Sequence, residues 1–278
     1  MSILLAGLSA LMYGAGDFFG GLGARRAPLV AVLGVSQLAG LVIAIIAAVS
    51  LGQPVPHARD LLWGIAGGVC GAAGLGALYA ALASTPVAVA SPVAAVTGAV
   101  IPVLLGLASG ERPSILAWGG IALALPAIAL LSGGRPEPGT EKLLRKALLL
   151  GGAAGLGFGL FFFFVSRTGH DSGLWPLIAA RFVTIALIGI YAAARRESVV
   201  PPRAGLLPML CAGCLDMGAN IAFLIASRTG LLTIAAVVTS LYPGPTVLLA
   251  VLVYREKITV ARLAGLVLAI AGVALISV

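Results

Sequence analysis

Charged residues are scarce in this sequence. Only 9% of its 278 residues are Asp, Glu, Lys or Arg, whereas 60% are hydrophobic and the mean hydropathy is +1.14. A soluble domain has about 25% charged residues, so these few charges could not cover a water-exposed globule. The composition therefore excludes an ordinary soluble enzyme and a disordered chain. It indicates a multi-pass membrane protein that is surrounded by a lipid bilayer.

Residues that carry catalysis or bind metals are also few. The two histidines, His57 and His170, lie in predicted loops, and the nine acidic residues form no paired-acid motif. Three cysteines within apolar stretches do not indicate a disulfide framework. The sequence has no ATP-binding motif, which disfavours direct driving by ATP. We predict no enzyme activity, no cofactor and no metal site.

Ten apolar stretches are long enough to cross a bilayer as helices, which takes about 20 residues each. They do not alternate in polarity as barrel strands would. The predicted spans are 3–22, 29–51, 61–82, 87–108, 115–132, 148–166, 173–194, 205–227, 231–253 and 260–278. No Lys or Arg precedes the first span, so we expect a mature helix there rather than a secretory signal.

The second half of the chain repeats the first with an offset of 145 residues, which aligns Glu111 with Glu256. The predicted domains are a first repeat at 1–133, a polar linker at 134–147 and a second repeat at 148–278. Because each repeat has five spans, the second repeat crosses the membrane in the opposite orientation. The predicted fold is an all-α polytopic membrane protein with ten transmembrane helices in two inverted five-helix repeats. This architecture is typical of secondary transporters.

Three ionisable residues lie well within the spans: Asp17, Arg181 and Asp216. Charges at this depth are costly and usually face a cavity or one another. Arg181 either pairs with one of the aspartates or binds a substrate carboxylate. Asp216 shares a helix face with Asn220, and it either carries a proton for coupling or makes an interhelical hydrogen bond. Asp17 lies nearer a membrane face, which favours a gate or interface residue over the central site.

Polar and aromatic side chains in other spans are weaker candidates for the same cavity. Tyr79 and Tyr242 lie in the third and ninth spans, and Gln37 lies in the second. A tyrosine offers a hydroxyl and an aromatic face to a substrate. Packing in the helix core is the alternative for each of these side chains.

Prolines mark corresponding spans of the two repeats. The fourth span contains Pro92 and Pro102, and the ninth contains Pro243, Gly244 and Pro245. An interior proline removes a helical hydrogen bond and can kink the helix. Interrupted helices in corresponding positions point to a transporter site. We predict that these residues shape gates, with static curvature as the alternative.

The end of each repeat resembles the EamA-like branch of the drug/metabolite transporter superfamily. The two segments are GERPSILAWGGIALALPAIALLS at 110–132 and REKITVARLAGLVLAIAGVALIS at 255–277. The resemblance covers essentially the whole chain. It implies a carrier for small metabolites in a bacterial-type cytoplasmic membrane, with cytoplasmic termini. It also implies a central cavity lined mainly by the third, fourth, eighth and ninth helices.

The basic residues indicate membrane topology rather than a nucleic-acid partner, although the formal net charge is +8. They occur in short runs between apolar stretches, the pattern of membrane loops. Loops after odd-numbered spans carry twelve Lys or Arg residues and the other loops carry four. The positive-inside rule therefore places both termini outside, opposite to the orientation that the resemblance implies. We favour the charge count.

Inverted repeats, buried charges and paired prolines together predict a secondary transporter. It would move a small polar or amphipathic metabolite, such as an amino-acid-like solute, by alternating access, as a monomer or homodimer. One alternative is a membrane-embedded enzyme acting on a lipid or isoprenoid substrate, which would need clustered acids, His or Ser that the spans lack. The other is a non-transporting scaffold, which would not need paired kinks or buried charges. Proton coupling, transport direction and substrate identity stay open.

Overall fold

The computed structural model describes residues 1–54, 56–85, 87–132, 141–255 and 258–277. Within these ranges, the side chains at positions 79, 82, 83, 87, 88, 141, 142 and 204 lie outside the described part. The helices are α1 (Ser2–Ala24), α2 (Leu29–Ser50), α3 (Ala58–Ser84), α4 (Val87–Ala108), α5 (Ile115–Ser132), α6 (Glu141–Ser166), α7 (Trp175–Arg195), α8 (Arg203–Thr229), α9 (Leu232–Thr239), α10 (Pro243–Tyr254) and α11 (Val260–Ile276).

The helices confirm the predicted membrane-spanning fold. Over the described ranges, nine segments are long and apolar enough to cross a membrane, and α11 is a shorter apolar helix that supplies a tenth. The segment Leu232–Tyr254 counts as one span although it contains both α9 and α10. Both termini therefore lie at one face, here called the terminus face. The loops after odd-numbered spans lie at the other, here called the basic face.

The surface is apolar and parts of the interior are polar, as expected for a protein in lipid. Large side chains such as Leu4, Ile115 and Ile270 are 71–87% exposed. By contrast, Ser9 and Asn220 are almost completely buried. Ser9 donates a hydrogen bond to the carbonyl of Ala219, at 2.8 Å. Polar groups inside a bilayer need such partners because lipid offers none.

The two repeats interleave rather than forming separate bodies. Helix α1 of the first repeat packs along α8 of the second, and the equivalent pair, α6 and α3, packs in the same way. Helices α5 and α11, the last spans of the two repeats, pack against each other. Every large interface therefore joins one repeat to the other, which places any central cavity between them.

Small residues allow several of these helices to approach closely. A Cβ atom added to Gly68 of α3 would lie 2.6 Å from the carbonyl oxygen of Ala180 in α7. A Cβ atom added to Gly151 of α6 would lie 2.7 Å from the carbonyl oxygen of Ala90 in α4. Close backbone contact at small residues is the usual basis of helix packing in membranes. These glycines serve packing within one chain.

The prolines act differently in the two repeats. Helix α4 continues unbroken through Pro92 and Pro102. The ninth span is interrupted at 240–242, and α10 restarts with Pro243 in its first turn, where a missing N–H costs no helical bond. Pro243 thus begins a helix, and within the described ranges the ninth span alone is discontinuous.

Candidate functional site

A cavity lies between the repeats at the level of the helix break. It has an outer chamber of about 600 Å³ and an inner chamber of about 290 Å³ that share part of their walls. Residues that line both chambers include Tyr13, Asp17, Gln37, Asp216 and Tyr242. Helices α1 and α2 thus contribute as much as the third, fourth, eighth and ninth spans that the resemblance singles out.

The outer chamber extends to the basic face. Its walls include Ala24 at the end of α1, Leu29 at the start of α2, and Ser132 at the end of α5. It also includes Arg262 in the first turn of α11. All four positions are helix ends on the same side of the membrane. The cavity therefore leads from the centre of the bundle to that side.

The structure brings Arg181 and Asp216 together, the first of the two arrangements predicted for Arg181. A guanidinium nitrogen of Arg181 donates to the carboxylate of Asp216, and the other terminal nitrogen donates to the side-chain oxygen of Gln37. The side chain of Arg181 is 11% exposed and that of Asp216 is 34% exposed. The cation is the more deeply buried partner, so its charge depends more strongly on the pair.

Asn220 extends this group by one helical turn. Its Nδ2 donates to the backbone carbonyl of Asp216 at 2.7 Å and lies 3.3 Å from the Asp216 Oδ2. Because both of these Asp216 oxygens are acceptors, the side-chain amide of Asn220 is oriented with its nitrogen towards them. Its Oδ1 is buried and has no hydrogen-bond partner among the described residues. Asn220 lines the inner chamber only.

Asp17 lies in the wall of both chambers, together with Asp216. Its role as a gate stays a prediction, but Asp17 lies in the wall of the central cavity although the sequence puts it nearer a membrane face. The reason is geometric: the cavity reaches down from the basic face, so a residue in the last two turns of α1 still lines it. Asp17 is exposed to the cavity. Within the described ranges, no side chain hydrogen-bonds to it or forms an ion pair with it.

Two tyrosines complete the wall next to these acids. The rings of Tyr13 and Tyr242 are 6.2 Å apart between centroids, with an interplanar angle of 58°. Sequence reasoning does not select Tyr13. The available signal is its spacing of four residues from Asp17, which puts both on one face of α1. Tyr79 was predicted for the same cavity, but its side chain lies outside the described residues.

Comparisons with known proteins agree with this architecture. A model of the EamA-like transporter family matches residues 1–133 and again 145–278. The chain belongs to the EamA-like transporter family. A search of curated proteins finds no match.

Solved structures show that the fold of this EamA-like chain is shared. One crystal structure, described only as that of a protein, matches with a TM-score of 0.80. The match covers 99% of this chain and 96% of the other, at 18% sequence identity. This similarity shows the fold alone.

At the terminus face of this EamA-like chain, one carboxylate joins the two repeats. Both oxygens of Glu111, from the loop before α5, accept hydrogen bonds from backbone amides at the start of α9. Leu232 N lies at 2.7 Å and Thr233 N at 2.9 Å. A carboxylate at a helix N-terminus satisfies free amides and the helix dipole. Sequence reasoning aligns Glu111 with Glu256 but does not assign it this contact, and Glu256 lies outside the described residues.

Further bonds between the repeats lie at the same face. Asp60 Oδ1 accepts from Gly169 N at 2.8 Å, and Gln53 Oε1 accepts from Leu174 N at 2.7 Å. Deeper in the bundle, the rings of Phe162 and Phe223 are in tilted contact, with centroids 4.3 Å apart and an interplanar angle of 40°. Phe162 lines the inner chamber and Phe223 is fully buried. Among the described residues, neither chamber is lined by a helix end at the terminus face, and these contacts lie between the inner chamber and that face.

Proposed function

We propose that this protein is a secondary transporter that moves a small polar or amphipathic metabolite by alternating access. The observation that carries the proposal is a cavity with charged walls between the two inverted repeats. It extends to one face, and among the described residues it has no lining residue at the helix ends of the other face. Inverted repeats can exchange such an arrangement between faces by rocking around a central site. The interrupted ninth span lines this cavity with Tyr242 and Pro243, as discontinuous helices do in other transporters.

A tryptophan at Ser91 is expected to reduce transport at least tenfold. Ser91 lies on α4 and lines the outer chamber, so an indole ring there narrows the path without removing a charged group. The matched control is Leu104→Trp on the same helix, because Leu104 is 55% exposed on the outer surface. The measurement is uptake of a panel of radiolabelled amino acids, amines and sugars into proteoliposomes, with and without a proton gradient. The proposal fails if no solute of the panel is taken up above protein-free vesicles.

We infer from the charge count that the basic face is cytoplasmic in a bacterial-type cell, an orientation that makes the cavity inward-facing. A cysteine replacing the exposed Glu197, in the loop between α7 and α8, is then expected to resist a membrane-impermeant thiol reagent in intact cells. The background lacks Cys70, Cys211 and Cys214. Labelling should appear after the membrane is permeabilised. Ready labelling of intact cells would reverse the orientation and make the cavity outward-facing.

A further inference from the structure

The described wall of the inner chamber has one more acidic than basic side chain. Among the described residues, its ionisable wall residues are Asp17, Arg181 and Asp216, apart from the tyrosines Tyr13 and Tyr242. Arg181 is already paired with Asp216 and bonded to Gln37. With both carboxyl groups ionised, Asp17 leaves the chamber with one net negative charge. Asp17 is exposed to the cavity, so this charge faces the chamber, and acidic residues within membrane spans mark substrate or ion pathways.

A second and independent feature is the free acceptor of Asn220. Because Nδ2 is held by Asp216, Oδ1 is left on the opposite side of the amide, buried and without a donor among the described residues, in a residue that lines the same chamber. A buried oxygen without a donor costs free energy that a ligand N–H would recover. A bound group that satisfies both features carries positive charge and at least one hydrogen-bond donor.

The aromatic faces beside Asp17 indicate an organic rather than a metallic cation. Tyr13 and Tyr242 both line the inner chamber, and their rings are 6.2 Å apart. Aromatic faces attract organic ammonium groups, whereas small inorganic cations need a close shell of oxygen ligands. The chamber holds about 290 Å³, and its other walls include Leu75, Leu78 and Phe158, which suit an apolar substituent.

We propose that the inner chamber binds a protonated organic amine, with its ammonium group against the Asp17 carboxylate and beside the rings of Tyr13 and Tyr242. Asn220 adds an acceptor that favours a primary ammonium over a quaternary one. The inference rests on the proposed function, since it names the class of substrate that the carrier would take. Arg262 stands at the mouth of the outer chamber and does not line the inner one.

Calorimetry on the purified full-length protein in lipid nanodiscs measures ligand binding to the chamber directly. The probes are phenethylammonium, its N,N,N-trimethyl analogue, neutral phenylethanol and anionic phenylacetate. We expect phenethylammonium to bind at least about tenfold more tightly than the neutral and anionic probes, because a hydrogen bond to a charged group is worth that much. The trimethyl analogue should bind with intermediate affinity. Displacement of phenethylammonium by equimolar NaCl would overturn the preference for an organic cation.

Variants separate the roles of the two residues. Asp17→Asn should lower the affinity for phenethylammonium about tenfold or more, whereas Asp171→Asn, at an exposed position in a terminus-face loop, should leave it unchanged. Asn220→Ala should lower the affinity for phenethylammonium but not for the trimethyl analogue. Should Asp17→Asn fail to fold, Asp17→Glu provides the test, because it keeps the charge and is expected to retain the preference for cations over phenylacetate.

Uptake into proteoliposomes distinguishes this inference from the proposed function. Asp17-dependent binding of phenethylammonium without uptake of any solute would support the chamber assignment and overturn transport. Uptake of neutral or anionic solutes, with no preferential binding of the two ammonium probes, would overturn the chamber assignment and leave transport in place. Wild-type affinity of Asp17→Asn for phenethylammonium would also overturn the chamber assignment.

Discussion

Replacing Asp216 with asparagine is expected to destabilise the folded protein by about 3 kcal/mol, because it leaves a buried cation without its counter-charge. The side chain of Arg181 is only 11% exposed and donates to Asp216 and Gln37. The same substitution should abolish gradient-driven accumulation of substrate and leave exchange partly intact, since Asp216 is our candidate for proton coupling. Thermal unfolding in detergent measures the first effect, and uptake into proteoliposomes measures the second.

The reciprocal variant, Arg181→Gln, is expected to lower the stability of the folded protein less than Asp216→Asn does. Arg181→Gln should cost about 1 kcal/mol, the net value of an ordinary hydrogen bond, because Asp216 is 34% exposed and water in the cavity can solvate its carboxylate. The double variant Asp216→Asn/Arg181→Gln leaves no unpaired charge and should regain most of the stability that Asp216→Asn loses. A larger loss for Arg181→Gln than for Asp216→Asn would contradict this order. Unchanged accumulation in Asp216→Asn across pH would remove Asp216 from coupling.

Replacing Glu111 with alanine is expected to destabilise the state in which the terminus face is closed. The variant removes both acceptors from the amides of Leu232 and Thr233, and loss of a helix cap costs about 1–2 kcal/mol. That cost corresponds to about a 5- to 30-fold change in the population ratio of the two facing states. To measure this change, Ser91 is replaced by cysteine on the background that lacks the native cysteines. A thiol reagent that enters through the cavity should then label this cysteine more slowly.

The control for this variant is Glu197→Ala, which removes an exposed carboxylate from a loop at the basic face. It should leave the rate of labelling at Ser91 unchanged. Glu111→Gln retains one acceptor oxygen and should fall between the wild type and Glu111→Ala. If Glu111→Ala folds normally and is labelled at the wild-type rate, the contact of Glu111 with α9 does not control closure.

Span lengths and the internal repeat were predictable because they depend on local composition. About 20 apolar residues cross a bilayer wherever they occur in the chain. Over the described ranges nine predicted spans are long and apolar enough to cross, and the shorter apolar helix α11 lies at the tenth. Helix α6 begins at Glu141, seven residues before the predicted span. The inverted arrangement followed from an odd number of spans in each repeat. Periodicity also placed Asp216 and Asn220 on one face of a helix, and the structure links them by hydrogen bonds.

The partners of these residues were decided by tertiary packing. From the sequence, Arg181 could pair with either aspartate or bind a substrate. The packing of α7 and α8 against α2 selects Asp216 and Gln37 as its partners. Asp17 lies near the end of its helix, and its place in the central cavity depends on how far the repeats separate towards the basic face. Likewise, the contact of Glu111 with α9 joins residues 121 positions apart. Hydropathy and periodicity act along one helix, whereas such contacts depend on which faces of distant helices meet.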